Sequence, residues 1–173
     1  TMPFSLPPPW PTDAETAIAL QRQLRAHINT TDQLPDTVRY VAGVDAGFEQ
    51  QGTITRAAVV VLSFPDLNPV DEALVRCPTT FPYVPGLLSF REIPAVLQAL
   101  NQIQIQPDMI LCDGQGIAHP RRLGIATHLG LITDCPTIGV AKSRLTGTHA
   151  EVPNEKGQWV PLMDGAERIG AVL

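Results

Sequence analysis

The chain contains 173 residues, of which 44% are hydrophobic and 17% are charged. Chains of this length commonly form one domain, and this apolar content can fill a core, which excludes wholesale disorder. The longest uninterrupted apolar run, Ala57–Leu62, is far shorter than the roughly 18 residues that would indicate a membrane span. No basic region followed by an apolar one marks a secretion signal. We expect one cytoplasmic domain over residues 1–173 that makes no membrane contact, with a Pro-rich leader at 1–11.

The charge of the chain is unevenly distributed. The net charge is −5, which by itself counts against nucleic-acid binding, because such proteins usually carry a basic surface. Between positions 119 and 149, however, the single acid Asp134 is outnumbered by basic residues. These are Arg121, Arg122, Lys142 and Arg144. A locally basic stretch of this kind could contact phosphates. The three cysteines form no CxxC pair, which argues against a disulfide scaffold and suits a reducing compartment.

The first half of the chain predicts one helix and then a β-meander. Thr12 and Glu15 match an N-terminal capping box, and apolar residues at helical spacing continue to Ile28. Short β-branched and apolar runs then predict three strands. They are Tyr40–Val44, Ala57–Leu62 and Ala73–Val75. Prolines and a glycine make the next segment, Phe81–Leu88, a loop.

The second half alternates helices with short buried strands. The expected helices are Ile93–Ile103 and Arg121–Ile132, and the expected strands are Met109–Cys112 and Pro136–Ala141. This order predicts an α/β fold in which helices flank a mixed sheet. The tail has a turn at Asp164-Gly165 and stops inside an apparent strand, Ile169–Leu173. Because a terminal apolar strand needs covering, we expect a chain truncated before a last helix.

Polar side chains stand where three of the apolar strands end. These residues are Asp45, Asp113 and Lys142. Ligands of open α/β sheets gather outside the carboxyl ends of parallel strands, so these side chains are candidates for a site. Each aspartate is also followed by a glycine within two positions and could be an ordinary turn residue. Because both Asp45 and Asp113 follow a buried strand, the sequence leaves open whether they are site residues or turn residues.

Glu92 offers a third carboxylate. The run Ser89-Phe90-Arg91-Glu92 also fits a capping box, and the pattern alone favours that interpretation. Two aspartates and a glutamate together would suit a hard divalent cation, because Mg²⁺ prefers oxygen ligands. No His and Cys spacing typical of a zinc site competes with them.

The segment Asp113–Arg122 is the densest in candidate functional residues. Its glycines allow backbone N–H groups to approach a ligand, and a helix starting near Pro120 would direct its positive end toward an anion. His119 could move a proton or bind a water beside a phosphate, or it could be a satisfied core histidine. Arg121 and Arg122 could contact phosphates or form an exposed helix face.

Four motifs occur in an order that resembles the endonuclease V family. They are Gly43–Asp45, Pro82–Glu92, Asp113–Ala126 and Pro136–Ser143. The similarity runs from about Gln21 to Leu173, and the second and third motifs are long and specific. The resemblance implies a ribonuclease-H-like fold. Family members usually continue past the end of this chain with a strand and a helix that add a further active-site side chain.

The resemblance also assigns roles to individual residues. It implies that Asp45, Glu92 and Asp113 hold Mg²⁺, with Mn²⁺ as a substitute, which reverses the pattern-only preference at Glu92. It places Lys142 against the scissile phosphate and makes His119 a further active-site residue. The family's strand-separating wedge corresponds to Pro82, Tyr83, Val84 and Pro85. Its base pocket corresponds to Gly86, Leu88, Gly114, Gly116, Ile125 and Gly139.

The activity implied by this resemblance is a metal-dependent repair nick in DNA that contains deoxyinosine. The family cuts the second phosphodiester bond 3′ of the lesion and leaves 3′-hydroxyl and 5′-phosphate ends. An inosine-specific endoribonuclease, a non-catalytic inosine-binding module and a junction resolvase are the alternatives. The wedge motif and the Gly-Gln-Gly loop argue against the resolvase. We expect the chain to act as a monomer.

Overall fold

The computed structural model describes residues 3–173 and contains three α-helices and seven strands in that range. The helices are α1 (Ala14–Leu24), α2 (Leu88–Leu100) and α3 (Ile125–Thr133). The strands are β1 (Tyr40–Glu49), β2 (Ile54–Ser63), β3 (Pro69–Pro78), β4 (Met109–Asp113), β5 (Thr137–Val140), β6 (Val160–Asp164) and β7 (Glu167–Val172). Within residues 3–173, no helix is both long and apolar enough to cross a membrane.

Five strands form one mixed sheet in the order β3-β2-β1-β4-β5. The first three strands of the chain are antiparallel, whereas β4 pairs in parallel with β1 and β5 pairs in parallel with β4. Helix α2 packs across β1, β2 and β3, and α3 packs on β4 and β5, beside α2. The predicted mixed α/β sheet is therefore confirmed. Strands β6 and β7 form a separate antiparallel hairpin.

The core lies between the sheet and helices α2 and α3. Alternate residues of the central strands face it, such as Ala42 and Val44 of β1, which are 0% and 5% exposed. The opposite face of the sheet is more open, and Ile138 and Val140 of β5 are half exposed there. This alternation places side chains at odd-numbered positions of β1 and β4 on the open face.

The Pro-rich leader packs onto the folded domain. Its first two residues lie outside the part of the chain that the structure describes. Phe4 exchanges two hydrogen bonds with the side chain of Asn101, at 2.7 and 2.8 Å. Trp10 stacks on His128 with ring centroids 5.4 Å apart, and its indole N–H donates to the Phe90 carbonyl oxygen. The leader thus covers one end of the helical layer.

The starts of all three helices and the extents of the first three strands differ from the sequence-based predictions. Helix α2 begins at Leu88 and not at Ile93, and β2 extends beyond the predicted Ala57–Leu62 at both ends. Helix α1 is capped by Asp13, whose carboxylate accepts from the Thr16 N–H, so the Thr12–Glu15 capping box is wrong. Helix α3 begins at Ile125 and not at Arg121, because Arg122 adopts a positive φ of 63°. Strands β1 and β3 are longer than predicted, since antiparallel pairing continues past their apolar runs.

Candidate functional site

Asp45 and Asp113 lie side by side on neighbouring parallel strands. Val44 of β1 pairs with Cys112 of β4, so the next residue of each strand is one of the two aspartates. Both alternate with buried residues and so point to the open side of the sheet. Asp45 lies in the middle of β1 and pairs with Ala58, so the prediction that it ends the strand is wrong. Neither aspartate is an isolated turn residue.

Glu92 reaches the two aspartates from the helical layer. It lies in the second turn of α2 and is only 7% exposed. Burial, followed by the charges of Asp45 and Asp113, raises the pKa of Glu92 to about 8. The capping interpretation is wrong, because Leu87 is the N-cap of α2 and the Ser89 hydroxyl bonds to His128. Glu92 is therefore a buried acid whose pKa is raised further by the charges of two other carboxylates.

The three carboxylates form a donor set that suits a hard divalent cation. All the side-chain donors are oxygens, and their mutual repulsion, which raises the pKa of Glu92, would be relieved by a bound cation. Within residues 3–173, no three His, Cys, Asp or Glu side chains converge tightly enough to hold an ion as they stand. A bound cation would therefore require the Asp45, Glu92 and Asp113 side chains to move closer together.

Lys142 lies beside Asp113 on the open face. Its Nζ is 2.7 Å from the Asp113 Oδ2, and the lysine side chain is 85% exposed. The hydrogen bond with Asp113 raises the pKa of Lys142, which keeps it cationic. Asp45, Asp113 and Lys142 line one open depression of about 560 Å³ on the sheet. The three strand-end candidates named from the sequence thus line the same depression.

The segment Pro82–Pro85 forms an exposed loop held at both ends. Phe81 before it and Leu87 after it are buried, at 2% and 1% exposed, in a cluster with Phe90. Tyr83 at the tip is 71% exposed and does not pack into the core. The loop therefore presents an aromatic ring to solvent from a fixed base. We call this segment the wedge loop.

The Gly86 carbonyl oxygen at the base of the wedge loop accepts several hydrogen bonds. The Gln21 amide donates at 2.9 Å, His119 Nε2 donates at 2.7 Å, and the Arg121 guanidinium lies at 3.4 Å. The guanidinium also donates to the Gln21 side-chain oxygen. From the sequence, Gln21 was expected only to lie within the first helix, with no functional role. The signal that could have identified it is a polar residue on the apolar, buried face of that helix. These contacts fix the loop to α1.

His119 holds the wedge loop as a neutral side chain. Its Nδ1 accepts from the Arg121 N–H at 3.0 Å, so the proton must be on the Nε2 that donates to Gly86. Burial lowers the pKa of His119, which is 2% exposed. With both ring nitrogens engaged, this geometry favours a positioning role over the proton transfer considered from the sequence.

The segment Gly114–Pro120 after β4, which we call the Gly-rich loop, packs closely against neighbouring backbone segments. A Cβ on Gly139 would lie 2.4 Å from the Gly116 N, and one on Gly124 would lie 2.2 Å from the Gln115 O. Gly114 has a φ of +127°, and a Cβ there would lie 2.7 Å from Ile125 Cγ2. Of the six expected base-pocket residues, the structure brings four together. They are Gly114, Gly116, Ile125 and Gly139. The other two, Gly86 and Leu88, lie at the start of α2, where Gly86 is close to His119.

The three arginines considered as phosphate contacts, Arg121, Arg122 and Arg144, lie in different surroundings. Arg122 is 6% exposed, and its guanidinium binds Asp164 at 2.6 Å and Glu167 at 2.8 Å. These bonds tie the β6–β7 hairpin to the Gly-rich loop and favour a structural role for Arg122. Arg121 is bound to Gln21 and Gly86, whereas Arg144 is exposed just beyond Lys142. Arg144 is the candidate whose position fits a phosphate contact.

Comparison with known proteins decides the family. Residues 22–173 match the model of the family described as Endonuclease V. The chain belongs to the endonuclease V family. The endonuclease V of Trichormus variabilis is 63% identical over 167 residues, which cover 96% of this chain and 76% of that protein. The resemblance stated from the four motifs is confirmed.

Solved structures agree with this assignment. The crystal structure of endonuclease V from Streptomyces avermitilis has a TM-score of 0.89 at 42% identity and covers 99% of this chain and 76% of that one. Endonuclease V of Ciona intestinalis, solved with a 24mer DNA containing an inosine followed by a ribo-adenosine, has a TM-score of 0.70 at 25% identity and covers 89% of this chain and 79% of that one. The fold is the ribonuclease-H-like fold of this endonuclease V family. Membership indicates a nuclease, and the family is generally dependent on a divalent metal.

Proposed function

We propose that this chain is a metal-dependent DNA repair endonuclease that nicks the second phosphodiester bond 3′ of deoxyinosine. The products carry 3′-hydroxyl and 5′-phosphate ends. The observation that carries the proposal is the meeting of Asp45 and Asp113 on adjacent strands, with Glu92 buried behind them and Lys142 beside them. Relatives that share this fold include an endonuclease V bound to inosine-containing DNA. Mg²⁺ is the proposed cofactor, and Mn²⁺ would fit the same oxygen donors.

The residues of the site have separable roles in this reaction. Asp45, Glu92 and Asp113 would hold the metal, which when bound activates a water and offsets charge on the phosphate. Lys142 is exposed and cationic, so it can bind a non-bridging phosphate oxygen at the edge of the carboxylate cluster. Its present partner Asp113 would release it when that carboxylate binds a cation.

Recognition of the lesion is assigned to the wedge loop and the Gly-rich loop. An enzyme that examines one base must unstack it, at a cost of a few kcal/mol that is smaller for a mispaired base. Tyr83, exposed on a loop with a fixed base, can fill the gap that the base leaves. Gly116 and Gly139 have no side chains, so their backbone segments pack closely and define the shape of the proposed base pocket.

The proposal is tested with Asp113→Asn and a matched control, Asp66→Asn. Asp66 is an exposed aspartate in the turn between β2 and β3, at the other end of the sheet. We expect Asp113→Asn to lower the nicking rate on a deoxyinosine duplex at least about a hundredfold, because electrostatic groups at a phosphoryl centre commonly contribute several kcal/mol. Binding to the same duplex in EDTA should persist.

Four outcomes are informative. Wild-type activity in Asp113→Asn, or an equal loss in Asp66→Asn, would contradict the metal assignment. Lesion-selective binding by the wild type without metal-dependent nicking would identify a non-catalytic inosine-binding module. Faster cleavage of inosine in an RNA strand than of deoxyinosine in DNA would identify the endoribonuclease alternative.

A further inference from the structure

A second aromatic ring lies next to the wedge loop. Phe48 near the end of β1 is 37% exposed, although the residues before it on the same side of the strand, Ala42 and Val44, are buried. The Arg91 guanidinium carbon of α2 lies 4.2 Å from the centre of the Phe48 ring and 5.9 Å from the centre of the Tyr83 ring. Arg91 therefore joins the end of the β1–β2 hairpin to the tip of the wedge loop.

The contacts of Arg91 leave it unsatisfied. Its Nε is buried and has no hydrogen-bond partner within residues 3–173. Its terminal nitrogen is 3.5 Å from the Gly52 carbonyl oxygen, which is a long contact. A buried donor without a partner costs free energy in an isolated protein. Arg91 is therefore held at this surface mainly by its contacts with the aromatic rings.

The chemistry of this surface fits unstacked nucleobases. Bases stack on aromatic rings and on the planes of arginine side chains, and every base carries acceptor atoms on its edges. The same end of the β1–β2–β3 meander carries Arg56 and Arg76 on the other face, both paired to the single carboxylate Glu49. The end of the meander is therefore basic and suits a polyanion.

We propose that Phe48, Arg91 and Tyr83 form one stacking surface for nucleobases that the wedge loop separates from their partners. We call it the stacking surface. This inference rests on the proposed function, since it needs a nucleic-acid substrate, and it adds Phe48 as a binding residue outside the wedge and the base pocket. Phe48 holds an unpaired base by stacking, while the guanidinium of Arg91 lies near both the Phe48 and Tyr83 rings and extends the planar surface.

The test compares Phe48→Ala with Phe64→Ala. Phe64 is also an exposed phenylalanine, 48% exposed, but it follows β2 at the opposite end of the sheet from Phe48. Affinity for a duplex with one deoxyinosine is measured by fluorescence anisotropy in EDTA. We expect Phe48→Ala to bind roughly ten- to a hundredfold more weakly, the range for loss of one base–aromatic stack, and Phe64→Ala to bind like the wild type.

Two further variants separate stacking from packing on Arg91. Phe48→Tyr keeps an aromatic face and should bind within about twofold of the wild type, whereas Phe48→Leu keeps apolar volume only and should bind like Phe48→Ala. The dependence of affinity on salt should have the same slope in the wild type and Phe48→Leu, because stacking releases no counterions. Thermal unfolding of each variant shows whether it is folded.

Several results would overturn the inference. Wild-type affinity in Phe48→Ala or in Phe48→Leu excludes stacking at this position. An equal loss in Phe64→Ala excludes a localised surface. If the wild type does not bind the deoxyinosine duplex at all, the proposed function fails and this inference fails with it. If the wild type binds and Phe48→Ala binds equally well, this inference alone fails.

Discussion

At the scale of single residues, the carbonyl oxygen of Gly86 shows how the wedge loop is held. Donors from Gln21, His119 and Arg121 converge on this one acceptor. Gln21 is fully buried, so its amide has no water to replace a lost partner. The rigidity that the proposed wedge role of Tyr83 requires therefore depends on a residue of α1, about sixty positions earlier in the chain.

Gln21→Glu removes the hydrogen bond to the Gly86 carbonyl oxygen and keeps the one from Arg121. The carboxylate still accepts from Arg121 but has no N–H for Gly86 and repels that carbonyl oxygen. Loss of a buried hydrogen bond costs about 1–3 kcal/mol, and here that loss loosens the wedge loop. We therefore expect the binding preference for deoxyinosine over deoxyadenosine to fall roughly tenfold. The preference is measured by competition between two otherwise identical duplexes.

Gln23→Glu is the control for this change. Gln23 is exposed on the same helix, so the charge change is the same while the contact with Gly86 is untouched. An unchanged preference in Gln21→Glu would show that the hydrogen bond to Gly86 does not position the loop. A similar fall in both variants would assign the effect to charge.

His128 links stability to pH. The ring is buried between Trp10 and Phe90 and bonds to the Ser89 hydroxyl, and burial lowers the pKa of His128 to about 4. An unfolded histidine has a pKa of about 6.5, so below that pH the unfolded chain takes up a proton that the folded chain refuses. The free energy of unfolding should fall by about 3 kcal/mol as the pH drops from about 6.5 to about 4.

Urea unfolding at a series of pH values measures this fall. His128→Gln should flatten the slope between about pH 6.5 and 4, and the exposed His149→Gln should leave it unchanged. A wild-type slope that persists in His128→Gln would show that other groups carry the acid dependence.

At the scale of elements, the glycines set how closely β5 approaches the Gly-rich loop. Gly139 of β5 faces the backbone of Gly114, Gln115 and Gly116 at distances that no Cβ can occupy. Backbone cannot move aside as a flexible side chain does. The distance between these two elements is therefore fixed by the absence of one side chain at Gly139.

Gly139→Ala should push the two elements apart. A Cβ would lie 2.4 Å from the Gly116 N, so the Gly-rich loop must shift and the proposed base pocket must change shape. We expect stability to fall by about 1–3 kcal/mol, as for other overpacked sites, and selectivity for deoxyinosine to be lost. Gly170→Ala is the control, because its Cβ would meet its nearest neighbour at an ordinary 3.5 Å. Selective binding by Gly139→Ala would contradict the pocket assignment.

The elements also show what the sequence could predict. Apolar runs identified the sheet strands and helices α2 and α3, because burial follows hydrophobic pattern. The end of β1 was missed because Asp45 and Gly47 break the apolar run, while pairing with β2 continues through Arg56 and Thr55. The start of α3 was missed because Arg122 has a positive φ, and its contacts with Asp164 and Glu167, more than forty residues later, leave no local sequence signal.

The candidate site was predictable in part. The residues at strand ends pointed to Asp45, Asp113 and Lys142, and the family motifs added Glu92 despite its capping pattern. The positioning role of His119 was not predictable, because it depends on which atoms its two nitrogens meet. Phe48 and Arg91 were not singled out, since a cation between two rings from distant segments leaves no local pattern.

At the scale of the whole molecule, basic residues lie near the candidate site of an acidic protein. The net charge is −5, yet Arg91, Lys142 and Arg144 belong to or follow elements that border the carboxylate cluster. Binding of a polyanion depends on such local charge more than on net charge. The chain spans 76% of the length of its Trichormus variabilis relative. The depression that Asp45 and Asp113 line lies on the open face of the sheet.

The most direct measurement maps the nick made by the wild-type chain in a duplex with one deoxyinosine, at single-nucleotide resolution. Mg²⁺, Mn²⁺ and EDTA are compared, with an undamaged duplex as the reference. A metal-dependent nick at the second phosphodiester bond 3′ of the lesion, with no nick in the undamaged duplex, is the expected result. Cleavage that persists in EDTA, or that ignores the lesion, would contradict a carboxylate-bound metal serving a deoxyinosine-specific nuclease.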